Sequence, residues 1–171
     1  MAAKTIGGAF IPGSGPAVRL RAVAFVDALG EAGDEEMAEP DHEIIQRLAG
    51  LVIVAFGSAE AAARTCASLP GDVRAGVSCG DVLYDNGALH GLPVIEASRL
   101  RDIATPGQIL CAERLVRAGD LPDASFRRVG PIEIRGLPKP LSVCELIRAG
   151  SPASSRRGAP RARPASRGRV R

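Results

Sequence analysis

The hydrophobic pattern divides the middle of the chain into short runs separated by glycine, proline and acidic clusters. RAVAFVDA, residues 21 to 28, is an almost unbroken apolar run and predicts a buried strand. EIIQRL and LVIVAF flank Ala49-Gly50 and predict a hairpin. SAEAAARTCASL, residues 58 to 69, opens on a capping serine with a glutamate in its first turn, and ends at Pro70-Gly71, so it predicts a helix. VRAGVSCGDVLYDNG, residues 73 to 87, predicts a pair of extended runs with a tight point at Cys79-Gly80 and a turn at Asn86-Gly87. HGLPVIEASRL then begins a second helix reaching about Ala104, with Pro93 in its first turn and Arg101 at the edge of its apolar face. TPGQILCA predicts a short strand and AERLVRAG a short helix. FRRVGPIEIRGLPKPLSVCELI predicts two or three strands, broken at Gly130-Pro131 and at Gly136 to Pro140. Residues 30 to 43 carry seven acids and a proline, which predicts a loop or a frayed helix rather than a core element.

In order, these elements imply an α+β fold of the ferredoxin-like type: a mostly antiparallel sheet with helices on one face. The expected organisation is a flexible leader over 1–17, one domain over 18–149, and a disordered Arg/Pro/Ser-rich tail over 150–171.

Charge sharpens that division. The chain carries +3 overall; the seven arginines after residue 150 face no acid, which leaves the rest at −4. The tail therefore offers non-specific, salt-sensitive phosphate binding, with a plain solubilising role as the simpler alternative. With four Phe, one Tyr and no Trp, stacking platforms for single-stranded nucleic acid are nearly lacking. Arginine outnumbers lysine 20 to 2 amid abundant Ala, Gly and Pro, as in GC-rich bacterial coding. Cys66, Cys79, Cys111 and Cys144 are far apart in apolar runs, and only His42 and His90 could join them at a metal, so buried free thiols in a reducing cytoplasm are expected. The N-terminus lacks a signal-peptide core, and LVIVAF falls far short of the ~20 residues that span a bilayer, so no membrane association is expected.

The stretch VRAGVSCGDVLYDNGALHGLPVIEASRLRDIATPGQILCAERL resembles the second half of class III adenylate/guanylate (nucleotidyl) cyclase catalytic domains. That family shows a strand ending in Gly and an acid, a loop, then Gly-x-x-Val-Asn-x-Ala-(Ala/Ser)-Arg-(Leu/Met) and Gly-(Gln/Glu)-Ile-Leu. VGPIEIRGLPKPLSVCEL is similar to its closing segment, LVIVAFGSAEAAARTCASL to the strand and helix after its Gly-Asp-Gly hairpin, and RAVAFVDALG to its first strand. The resemblance covers about residues 20 to 147 and is specific from 73 onward.

The resemblance implies cyclic AMP or GMP synthesis from the nucleoside triphosphate at a dimer interface. Two aspartates would hold magnesium or manganese. An Asn and an Arg from the other subunit would orient the ribose and stabilise charge on phosphorus. A late basic residue would bind phosphate, and a Lys/Asp pair would read the purine. Residue by residue, the first metal aspartate falls on Asp27, which serves equally well as a solvated loop acid. The second falls on Gly50, the purine lysine on Gln46, its acidic partner on Ala88 and the Asn on Ile95. The catalytic arginine is present as Arg99 and the phosphate-binding residue as Arg135. Glu96 and Asp81 lie off the matching positions and are read as structural. The family's first helix is expected to be truncated to the acidic segment.

The resemblance therefore implies a degenerate member, impaired in catalysis and acting as a regulatory or dimerising module. Magnesium or manganese would be the cofactor of any remaining activity. The expected partners are a second copy or another cyclase domain, with weak ATP or GTP binding. Two alternatives stand: a half-site donor lending Arg99 and Arg135 to a competent partner, and a phosphate or nucleic-acid binder acting through the tail.

Overall fold

The structure, a computed structural model, describes residues 17–27, 42–48, 50–85, 88–119, 121–122 and 125–148. Residues 1–16 of the leader, residues 28–41 with most of the acidic segment and its expected truncated helix, the Asn86-Gly87 turn and the basic tail lie outside the described residues; Ala17, expected in the leader, opens a strand, and so do His42 and Glu43, expected in the acidic loop. Among the described residues, eight strands and three helices follow in the order β1 (Ala17–Asp27), β2 (His42–Leu48), β3 (Leu51–Phe56), α1 (Ala59–Ser68), β4 (Ala75–Asp85), β5 (Ala88–His90), α2 (Leu92–Ile103), β6 (Ile109–Ala112), α3 (Glu113–Ala118), β7 (Phe126–Ile132) and β8 (Leu141–Leu146).

The strands form a single sheet in the order β2-β3-β1-β4-β6-β8-β7, with β5 hairpinned onto β4. Every pairing is antiparallel except β4 with β6. The expected α+β fold with a mostly antiparallel sheet is thus present.

The helices divide between the two faces of the sheet rather than sharing one. Ala22, Ala24 and Val26 of β1 join Val77, Cys111, α1 and Leu115 of α3 in one core, whereas Val23 and Phe25 join Val82 and Ala97 of α2 on the other side. Leu100, Leu110 and Val143 extend that second core. The reason is visible in the sequence: AVAFV is apolar at every position, and a strand apolar on both faces needs cover on both.

Local chemistry explains the helix boundaries. The Ser58 hydroxyl accepts a hydrogen bond from the Ala61 amide at 3.0 Å, capping α1 as its sequence predicts. Pro93 occupies the first turn of α2, where its missing amide hydrogen costs nothing. At Gly76 an added Cβ would lie 2.1 Å from the Ala97 carbonyl oxygen and 2.2 Å from the Arg101 amide nitrogen. The backbones of α2 and β4 therefore touch at that glycine, and this contact places the helix.

Two strands run longer than expected. β4 is one continuous strand through Gly80, because that glycine adopts φ +151 and keeps its pairing with Arg21. β7 runs through Gly130-Pro131 and absorbs the irregularity as a register shift between Arg128 and Gly130. The break at Gly136 to Pro140 stands as the loop to β8.

The four cysteines are free and buried, as expected. Burial pushes the Cys66 thiol up to about 12 and raises Cys111 well above its ordinary value. Among the described residues no helix is long and apolar enough to cross a membrane.

Candidate functional site

Asp27 closes β1 and pairs across the ladder with Leu51, the first residue of β3. The β2–β3 turn therefore lies beside it. In that turn Gly50 adopts φ +82, with open space where a side chain would begin. The structure thus brings together the two positions, 27 and 50, that the resemblance gives to metal ligands.

The chemistry assembled there is different. Asp27 Oδ2 accepts from Arg74 Nε at 2.5 Å, and Oδ1 accepts from Arg101 Nε at 2.7 Å and from its Nη2. Arg74 stands just before β4, and the Asp27 amide donates to its carbonyl at 3.1 Å. Arg101 comes from α2, with its side chain only 21% exposed. The network continues outward: Arg101 Nη1 contacts Asp102 at 3.4 Å, and Asp102 contacts Arg99 at 3.5 Å.

Cation binding needs several oxygen or imidazole donors converging on one point. Asp27 is already shared between two guanidiniums, Gly50 has no donor, and no group of three His, Cys, Asp or Glu side chains converges among the described residues. These residues do not fit a two-metal centre.

The remaining positions scatter. The Arg99 side chain is 51% exposed on the outer face of α2. Ile95, one turn earlier on that face, is 48% exposed, and Leu92 and Ile103 are exposed as well. Gln46 is exposed on β2 and Ala88 is exposed at the start of β5, with β3, β1 and β4 between them in the sheet order. Arg135 is exposed in the loop between β7 and β8, beside Gly136 at φ +92.

Glu96 is not a spare metal ligand. It is 3% exposed, accepts from the Ser78 hydroxyl at 2.6 Å and is ion-paired with Arg114 of α3. Burial lowers the affinity of the Arg114 guanidinium for its proton. This polar knot ties α2 and α3 to β4. Asp81 is exposed on β4.

Sequence reasoning missed Arg74, Arg101, Arg114 and Arg148. Arg101 had a signal, since it sits at the edge of the apolar face of α2. Arg148 had none: in ELIRAG it resembles any surface arginine, yet it is 7% exposed and donates to four backbone carbonyls.

No model of a known protein family matches the chain. Uncharacterised proteins of Mycobacterium tuberculosis and Mycobacterium bovis are 43% identical to it over 74 residues, which is 43% of this chain. The chain spans 19% of the length of these relatives. Among solved structures, an adenylate/guanylate cyclase/hydrolase from Silicibacter pomeroyi superposes with a TM-score of 0.66 at 21% identity, covering 77% of this chain and 98% of that one. The adenylyl cyclase CyaB from P. aeruginosa superposes with a TM-score of 0.61 at 14% identity, covering 80% and 97% respectively. The guanylyl cyclase Cya2 gives 0.58 at 16% identity, covering 82% and 98%. The chain has the fold of class III adenylate/guanylate cyclase catalytic domains.

Proposed function

We propose that this chain is a cyclase-fold module that does not turn over nucleotide and acts by associating with a second cyclase-fold chain, as a regulatory or dimerising partner in cyclic-nucleotide signalling. The observation that carries this reading is the state of Asp27, whose carboxylate is shared by Arg74 and Arg101 while Gly50 offers no second acid. Metal ions supply most of the charge stabilisation in phosphoryl-type reactions, so a site without their ligands loses orders of magnitude in rate. Ile95 in place of the ribose-orienting Asn removes a further polar contact.

Association is supported by the outer face of α2. Leu92, Ile95 and Ile103 expose an apolar stripe beside Arg99, and apolar side chains grouped in this way favour a protein partner. In sedimentation velocity the full chain is expected to self-associate, and Ile95→Glu is expected to shift it to monomer without changing its circular dichroism. A wild-type chain that stays monomeric at every concentration reached, and joins no other cyclase domain, would refute this part.

One observation favours a second reading. Arg99 is exposed and, among the described residues, held by a long contact to Asp102. It is therefore available to complete a site whose aspartates come from a partner chain, with Arg135 as its companion. Turnover gained on mixing with a metal-competent cyclase domain, and lost with Arg99→Ala, is the result that would favour it.

A further inference from the structure

We infer that Arg101, with Arg74, closes the Asp27 position to divalent cations, so that a guanidinium occupies the place of an ion and the lack of an acid at Gly50 is only half of the loss. This rests on the non-catalytic reading above and deepens it.

Three observations converge. First, both oxygens of Asp27 are engaged: Oδ1 by two nitrogens of Arg101 and Oδ2 by Arg74 Nε at 2.5 Å. An entering cation must displace at least one of these charge-assisted bonds and then sit beside two fixed positive charges. Second, both arginines are anchored. The Arg101 backbone lies against Gly76, where an added Cβ would come within 2.2 Å of its amide nitrogen, and Asp102 contacts its Nη1 at 3.4 Å. Arg74 is fixed through its carbonyl, which accepts from the Asp27 amide at 3.1 Å. Third, the connected network sets Arg74, Arg99 and Arg101 against Asp27 and Asp102, an excess of one positive charge. Among the described residues, that excess opposes an entering cation.

A Cβ at position 50 meets nothing within 4 Å, and aspartate is among the residues that best tolerate positive φ. Manganese binding would be measured by titration calorimetry, and by electron paramagnetic resonance of the free ion, on the full chain, on Gly50→Asp, and on Gly50→Asp combined with Arg101→Gln. Gly50→Asp alone is expected to bind manganese no more tightly than the unaltered chain. The double variant is expected to bind at least about tenfold tighter than either, as a second carboxylate and a freed oxygen then converge. If circular dichroism shows the double variant unfolded, Arg101→Met on the same background keeps the aliphatic stem and makes the same comparison. Binding by Gly50→Asp as tight as by the double variant overturns the role of Arg101. So does a folded double variant that gains nothing, and that outcome leaves the non-catalytic reading standing, because the readout is metal affinity and not turnover.

Discussion

Replacing Gly76 with alanine is expected to cost this domain a large part of its stability. The new methyl group would lie 2.1 Å from the Ala97 carbonyl oxygen, 2.2 Å from the Arg101 amide nitrogen and 2.9 Å from the Leu100 carbonyl carbon. All three are backbone atoms, so no rotamer change relieves the clash and α2 must move off the sheet. Ala97 and Leu100, both fully buried, would lose their contacts. Overpacking typically costs ~1–3 kcal/mol, and a rigid backbone contact belongs at the upper end, about 3 kcal/mol. For a domain of this size that lowers the thermal midpoint by roughly 10 °C. The same movement would shift Arg101 relative to Asp27. A midpoint within about 2 °C of wild type would show that α2 does not rest on this glycine.

The second large effect is expected at Arg148. Its Nη1 donates to the carbonyls of Leu69, at 3.2 Å, and Pro70, at 2.5 Å, and its Nη2 donates to Gly71, at 2.8 Å, and Gly107. One guanidinium therefore joins the loop after α1 to the loop before β6. Gly107, at φ +80, approaches so closely that a Cβ there would lie 2.7 Å from the Gly71 carbonyl oxygen. Arg148→Met keeps the stem and removes every donor, leaving carbonyls that lose their partner at ~1–3 kcal/mol each where water cannot replace it. Loop relaxation will admit some water, so a net loss of about 3 kcal/mol in urea unfolding is expected. Arg148→Lys should recover less than half of it, because a single ammonium cannot span carbonyls from two loops. Full recovery by lysine would mean that charge alone, and not the fork, holds the loops.

Much of this fold was legible in the sequence, for physical reasons. The β2–β3 hairpin follows from two apolar runs around a short turn, and α1 from its serine cap and terminal Pro-Gly. The start of α2 follows from Pro93 in its first turn. What escaped was long-range. The split of helices between two faces was implicit in the all-apolar AVAFV, but alternation and its absence are easily confused over five residues. The continuity of β4 and β7 through glycine depends on pairing partners distant in sequence. For the candidate site, positions 27 and 50 could be placed from the resemblance, and their proximity follows from strand pairing. The partners of Asp27 could not be placed, since Arg74 and Arg101 lie 47 and 74 residues away. An arginine in sequence looks the same whether it faces solvent, as Arg99 does, or grips four carbonyls, as Arg148 does.

The central claim is a cyclase fold whose own site does not perform the chemistry. The measurement that tests it most directly is cyclic nucleotide production by the purified chain with ATP or GTP and manganese, beside Arg99→Ala. The account predicts no cyclic product above that of the Arg99→Ala protein with either nucleotide. Product that forms with the unaltered chain and vanishes with Arg99→Ala would contradict it, and would mean that Asp27 exchanges its guanidiniums for metal during turnover.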